Sequence, residues 1–331
     1  MSEMSATRRQ AFCIGVAWLM LPMRVPAQPR RIRIGFLGGI TPDASTNRLA
    51  LDPFRQSLRE LGYVEGQNLE IHFRWAEGQP DRLPGLAAEL ARLEPDVIVA
   101  MGPGPAVAAK RATTTIPVVA AAVDNPVETG LVTDFVRPGG NVTGISSMGG
   151  EVFAKRLQLL KELVPSLRRV AVLMNPATAS RALLDAGIPD KERRLGVPIR
   201  VFEARTPDEF EAAFDAMKRD GCDGILVFAD ATFWAHRARL HALLAKHRLP
   251  AVLGGRDWLE GGGLASYQVD FPMIFRRAAG MADAIVKGAK PAVTPFEQAT
   301  KLEFVINLRS AKALGVTVPQ SLLVSADHVI E

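Results

Sequence analysis

The chain has 331 residues, 48% of them hydrophobic and 23% charged, with a formal net charge of +5 at neutral pH. That mild charge comes from basic residues scattered along helical patterns without interleaved aromatics, which excludes an extended nucleic-acid surface. Its two cysteines, Cys13 and Cys222, are too few for a disulfide-built scaffold, and beyond the N-terminus no apolar run approaches the ~20 residues that span a bilayer.

The N-terminus reads as an export signal. Arg8 and Arg9 precede an apolar run, residues 11–21, that is closed by Pro22 and followed by Val25-Pro26-Ala27 before Gln28. A charged start, a short apolar middle and a small-residue exit are the parts of a cleaved signal peptide. The stretch Thr7-Arg8-Arg9-Gln10-Ala11-Phe12 is similar to a twin-arginine signal, and paired arginines also occur in ordinary secretory signals. Cys13 stands at the start of the apolar run, where a lipid-modified cysteine does not belong. Residues 1–27 are therefore expected to be removed and the mature chain to be a soluble periplasmic protein. It would keep Cys222 as its one thiol and carry about +3, because the leader holds three arginines and one glutamate.

From residue 32 onward, β-branched runs alternate with helical patterns. Residues 32–37 read as a strand and 48–61 as a helix with Leu51, Phe54, Leu58 and Leu61 on one stripe, stopped by Gly62. Strand 68–75, helix 82–93, strand 97–100, helix 105–111 and strand 118–122 continue the series. A second series starts near Val142. It comprises helix 152–163 with Leu157, Leu160, Leu163 and Val164 inward, strand 169–174, and a long helical region reaching Arg194. Strand 199–203, helix 207–219, strand 224–228, helix 232–247 and strand 251–253 follow. Such alternation implies parallel sheets covered on both faces. An eight-stranded barrel carries the same rhythm, but Gly139-Gly140 and Gly261-Gly262-Gly263 punctuate the chain where it would cross between two lobes.

Catalytic motifs are absent. The loop Gly35-Phe-Leu-Gly38-Gly39-Ile-Thr41-Pro42 lacks dinucleotide spacing, and Gly104 to Arg111 lacks the second glycine and the hydroxyl of a phosphate loop. Gly144-Ile-Ser146-Ser147-Met-Gly149 is one residue too long for a nucleophile elbow. His236, His241 and His247 are spaced by five and six residues, which puts no metal pair on one helical face; they read as surface or helix-end residues. Neither a metal nor a cofactor is expected. What remains is a set of loops at strand C-termini: Gly38 to Thr41, Met101 to Gly104, Val123 to Pro126, Asn175 to Thr178 and Ala229 to Thr232. Ligands of open α/β sheets bind outside these ends, and helices starting there aim N–H groups at anions. Asp124 and Asp230 are suited either to a ligand ammonium or to capping a helix. Together the loops describe a cleft for a small polar or zwitterionic ligand.

Several stretches resemble one family. They are Leu61-Gly-Tyr-Val-Glu-Gly66-Gln-Asn68, Arg74-Trp75-Ala-Glu-Gly78-Gln, Asp81-Arg-Leu-Pro84, Ala112-Thr-Thr-Thr-Ile-Pro117, Arg137-Pro-Gly-Gly-Asn-Val-Thr-Gly144, Lys155-Arg-Leu157 and Asn307 to Gly315. In this order they are similar to the ABC-transporter substrate-binding proteins of the tryptophan/tyrosine type. The resemblance implies a type I periplasmic binding protein: two Rossmann-like α/β lobes with parallel sheets, joined by a three-crossover hinge. Residues 30–143 and 264–290 would form the first lobe, and 144–263 and 291–331 the second. It also implies a monomer, without catalytic residues, that holds a small carboxylate-bearing ligand, an amino acid or related organic acid, for an ABC permease in the inner membrane. A ligand sensor and an exported α/β enzyme are the alternatives.

The ligand residues expected on this basis are Gly39, Thr41, Gly102, Pro103, Asp124 and Asn125 from the first lobe, and Asn175, Thr178 and Asp230 from the second. Ser146, Ser147 and Tyr267 would lie near the crossings, and Trp75 and Trp234 would stack on an aromatic ligand. The chain departs from the family pattern at Gly102-Pro103-Gly104-Pro105, where the family often has Gly-Thr/Ser-Pro. It departs again at Asn175-Pro-Ala-Thr178, in place of Asn-Pro-x-Asn.

Overall fold

Alternating β-branched runs and striped helices fold into two sheets in the computed structural model, which describes residues 31–43, 45, 47–176, 181–228, 230–259 and 261–331. The expected signal peptide and Thr178 lie outside the described residues. Strands β1 (Ile32–Gly38), β2 (Leu69–Trp75), β3 (Val97–Met101), β4 (Val118–Val123) and β5 (Val142–Ser146) build the first sheet. Strands β6 (Val170–Met174), β7 (Ile199–Glu203), β8 (Gly224–Val227), β9 (Ala251–Leu253) and β10 (Ala265–Val269) build most of the second. The short β11 (Glu297–Gln298) then returns to the first sheet, while β12 (Leu302–Asn307) and β13 (His328–Ile330) complete the second. The orders are β11-β5-β4-β3-β1-β2 and β13-β12-β10-β9-β8-β6-β7, and all pairs are parallel except β10 with β12.

The period-two alternation of each strand feeds two apolar layers. In the first lobe Val97 and Val99 face Phe54, Leu58 and Phe275, on the helices Asp52–Glu60 and Phe271–Val286. Ile98 and Ala100 face Leu90 and Ala109, on the helices Leu83–Arg92 and Pro103–Ala112. In the second lobe Val170 and Val172 pack on Leu157, Leu160 and Leu163 of the helix Gly149–Leu163. On the opposite face Ala171 and Leu173 pack on Phe214 and Leu240. Strands buried on both faces explain near-continuous apolar runs such as Val-Val-Ala-Ala-Ala-Val in β4, where all six residues are buried.

The chain passes between lobes three times: from β5 into the helix Gly149–Leu163, from β10 into the helix Phe271–Val286, and from β11 into β12. The passages are hydrogen-bonded side by side. The Ala299 N–H donates to the Ser146 carbonyl (3.1 Å) and the Asp270 N–H to the Lys301 carbonyl (2.8 Å), while Lys301 Nζ pairs with Asp270 Oδ2 at 2.9 Å. The expected lobe boundaries at 264 and 291 are displaced. Because β10 pairs with β9 and β12, and β11 pairs with β5, the crossings fall near 270 and 300. Gly262 and Gly263, with φ of 134° and 100°, make the turn into β10 and mark no crossing.

Three local expectations also change. Leu61 is 40% exposed and lies beyond the buried stripe. The helix expected over 232–247 breaks at His236 into Ala231–Ala235 and Arg237–His247. His241 is buried, its ring edge-on to Trp258 and pressed against Gly261.

Candidate ligand-binding cleft

The C-terminal ends of both sheets open onto one cleft of about 1530 Å³, with Gly39, Gly102 and Asp124 on the first-lobe side and Arg156, Asp230 and Asp257 on the second. This exceeds the ~300–1,000 Å³ usual for a small-molecule pocket because the space runs from the lobe edges back to Lys301 and Asp327 beside the crossings.

At the first crossing, Asp124 leaves β4 and reaches the start of the helix Gly149–Leu163. Its carboxylate accepts the Ser147 hydroxyl and the Gly149 N–H, at the positive end of that helix. A Cβ at Gly149 would collide with this carboxylate, so a glycine is needed there. Burial pushes the Asp124 carboxyl above its usual range, opposed by Ser147, Arg156 and Gly149. Arg156 lies further along the same helix and donates from Nε to the Tyr267 carbonyl at 2.6 Å. Burial lowers the guanidinium from 12.5 to about 10 while Asp124 pulls it back, so it remains charged at neutral pH.

The loop after β9 closes around these groups. A Cβ at Gly254 would stand 3.1 Å from Arg156 Nη2, and one at Gly255, whose φ is 138°, only 2.6 Å from Gln268 Oε1. Backbone without side chains therefore lies directly against the guanidinium and the amide. Asp257 and Trp258 follow on the short helix Arg256–Leu259. Trp234 meets Trp258 edge-to-face at 5.9 Å, with the Arg237 guanidinium 5.0 Å from its ring centre.

Of the residues expected from sequence, Gly39, Gly102, Pro103, Asp124, Ser147, Asp230 and Trp234 line this cleft. Thr41, Asn125, Ser146, Asn175, Tyr267 and Trp75 do not. Thr41 is exposed, and the Asn125 carbonyl accepts the N–H and hydroxyl of Thr129. Ser146 is buried, its hydroxyl accepting the Met148 N–H. Asn175 is buried behind Asp230, to which its amide donates at 3.4 Å. Tyr267 packs edge-on to Phe304 and offers its carbonyl to Arg156. Trp75 is stacked on Phe73, 6.2 Å between centroids at 5°, within the first-lobe core, so packing accounts for it. Asp230 caps the helix Ala231–Ala235 through the Thr232 and Phe233 N–H groups, and its carboxyl is raised by burial against those bonds.

Sequence reasoning missed Arg156, Gln268, Asp257 and Trp258. The rule that selected five strand-end loops also applies to Gly254-Gly255-Arg256-Asp257 after strand 251–253, and Arg156 borders the apolar stripe at Leu157. No group of three or more side chains that could hold a metal occurs among the described residues. Among them no helix is long and apolar enough to cross a membrane.

Two parallel-rich α/β lobes, three crossings and a cleft at the strand ends define the fold of type I periplasmic binding proteins, which solved solute-binding proteins share. Residues 44–330 match the family model for ABC transporter substrate binding protein, and the chain belongs to that family. The family captures substrates and does not convert them. A tyrosine-binding protein of Clostridioides difficile (strain R20291) is 25% identical over 276 residues, covering 83% of this chain and 78% of that protein. The ABC domain from Streptococcus pneumoniae solved in complex with L-Trp is 27% identical, with a TM-score of 0.84 over 91% of this chain and 100% of that one. The ligand-free, open structure of a Clostridium difficile substrate-binding protein with adhesive properties gives 0.66 at 22% identity, over 90% and 99% of the two chains.

Proposed function

We propose that this protein is exported and, as a monomer, captures one small carboxylate-bearing amino acid between its lobes and delivers it to an ABC permease in the inner membrane. Arg156 carries the reading. It is a charged guanidinium in the cleft wall, and its acidic neighbour Asp124 is already shared with Ser147 and the Gly149 N–H. A ligand carboxylate supplies the bidentate partner that a guanidinium favours. Trp234, Trp258, Phe153 and Phe228 add aromatic surface to the same cleft, and relatives described as binding tyrosine or tryptophan favour an aromatic side chain. The N-terminal signal pattern supports export.

The test is a thermal-shift screen of the chain beginning at Gln28 against amino acids, aromatic acids and other small carboxylates, with calorimetry on each hit. Ligand at about 100 times Kd stabilises by roughly 2.7 kcal/mol. Arg156→Gln should weaken a hit by about 10- to 100-fold, the loss of a hydrogen bond to a charged group. A hit whose affinity is indifferent to this change, or no stabilisation across the panel, contradicts the reading.

A further inference from the structure

Gln268 is a buried side chain in the cleft wall, 7% exposed, and its amide is unpaired. Neither Oε1 nor Nε2 hydrogen-bonds to another described residue, yet both keep accessible surface. Trp234 Nε1 and Asp257 Oδ2, by contrast, are sealed within the protein. Glu303 stands directly across from Gln268 on the paired strand β12, and it pairs instead with His328 at 3.6 Å. On the loop side Gly255 lies against the amide, at a φ of 138° where any added Cβ would collide with Oε1. The amide is therefore held by packing on an inner strand of the second sheet, with its hydrogen-bonding capacity left over for the cleft.

Its position sets it apart from Arg156. Consecutive side chains of a strand point to opposite faces. Tyr267 faces the helix Gly149–Leu163, which carries Arg156, so Gln268 faces away from it, towards Gly255 and the short helix that carries Trp258. A carboxylate on Arg156 thus leaves Gln268 for another part of the same ligand. The amide offers one acceptor oxygen and two donors and has no charge. A desolvated ion would find no counter-charge on it, whereas a hydroxyl or a carboxamide, each with a donor and an acceptor, matches it. An apolar group would strand both amide atoms without water, which is costly.

We propose that Gln268 is a specificity-determining residue, whose amide makes the cleft prefer an amino acid with a hydroxyl or carboxamide on its side chain over the apolar isostere. This assignment rests on the capture reading and adds the polar side-chain group to it. The competing role for Gln268 is purely structural, as a filler of the notch beside Gly255.

Calorimetry with two near-isosteric pairs separates the roles: L-tyrosine against L-phenylalanine, and L-glutamine against L-methionine. The unaltered protein should prefer the polar member of at least one pair by about 10-fold or more, as expected when a buried amide would otherwise be left unmatched. Gln268→Met, unbranched and of similar length, should remove most of that preference, weakening the polar member and leaving the apolar one bound as tightly or more tightly. The pair that loses its preference tells hydroxyl from carboxamide. If Gln268→Met weakens both members of a pair equally, the filler role explains Gln268 and the proposal falls. Urea midpoints of the ligand-free chain give a second readout, because replacing an unpaired amide by an apolar group should leave stability unchanged or raise it. Should Gln268→Met fail to fold, Gln268→Leu takes its place in the calorimetry; a marked fall in midpoint, or a failure to fold, common to both variants assigns the amide a structural role and overturns the proposal. An unaltered protein that binds these amino acids without preferring the polar member of any pair overturns the Gln268 assignment and leaves carboxylate capture standing. Binding of none of the four overturns both.

Discussion

Asp124 and Arg156 compensate each other in the cleft wall, yet burial weakens the charged form of both. For Asp124 this has a definite sign. Burial raises its carboxyl above the ordinary aspartate value of 3.8, so the native chain holds this proton more tightly than the unfolded chain does. Stability from the group is fully present below pH 3.8 and is lost as pH rises through the elevated native value. Asp124→Asn removes the titration, and the gap in unfolding free energy between wild type and variant should move in favour of the variant as pH rises from about 4. Urea midpoints of the ligand-free protein across pH 4–8 measure that gap; Asp230, shifted the same way, titrates in both chains and cancels. A gap that stays constant or moves towards wild type contradicts burial as the larger influence. Asp124 was recognisable in sequence as an acid at a strand end. Its hydrogen bonds to Ser147 and Gly149 were not, because they depend on how the first crossing folds back on β4.

Elements were more legible than their contacts. Strand positions follow from β-branched runs buried on two faces: β1 to β4 and β6 to β9 appear within a residue or two of expectation, while β5 was marked only by a series starting near Val142. Three things were hidden: the break at His236, the single π turn before Asp52, and which sheet receives β10 and β11. Each depends on packing between segments distant in the chain, and none leaves a periodic mark. The same distinction separates two glycines that look alike in sequence. A Cβ at Gly144 would run into the Ala120 carbonyl of the adjacent strand, whereas one at Gly280 would meet only an arginine side chain at 3.9 Å in mid-helix. Gly144→Ala should destabilise by about 3 kcal/mol through overpacking between β4 and β5. Gly280→Ala should stabilise by up to about 1 kcal/mol through helix propensity. Urea unfolding of the two variants checks the contrast, and similar effects of the same sign would contradict the backbone approach at Gly144.

At the scale of the whole molecule, the lobes touch across the cleft through contacts that involve no ligand. Thr232 donates its hydroxyl to the Gly78 carbonyl at 3.2 Å, Arg237 pairs with Asp43 at 2.9 Å, and Arg48 reaches Asp257. Gly39 and Gly78 approach Ala231 and Ala235 closely enough that added methyl groups would stand 3.4 and 3.0 Å from those Cβ atoms. Such contacts bias the open–closed equilibrium before any ligand arrives, and apparent affinity is the intrinsic value divided by the fraction of binding-competent molecules. Arg237 is the most direct lever, because its partner lies in the opposite lobe and both side chains are about 30% exposed (27% and 31%). A pair this accessible contributes about 0.2–1 kcal/mol, so Arg237→Ala should shift the equilibrium towards open by up to about 5-fold, less at high salt. X-ray scattering of the ligand-free variant should show a larger radius of gyration. Its consequence for binding depends on where the equilibrium starts. If ligand-free molecules are mostly open, Kd rises by the full factor. If they are mostly closed, Kd barely moves even though the ligand-free population does. A variant with unchanged scattering and unchanged affinity would mean that the Arg237–Asp43 pair adds nothing to closure, leaving Thr232 and Arg48 to hold the lobes together until a ligand does.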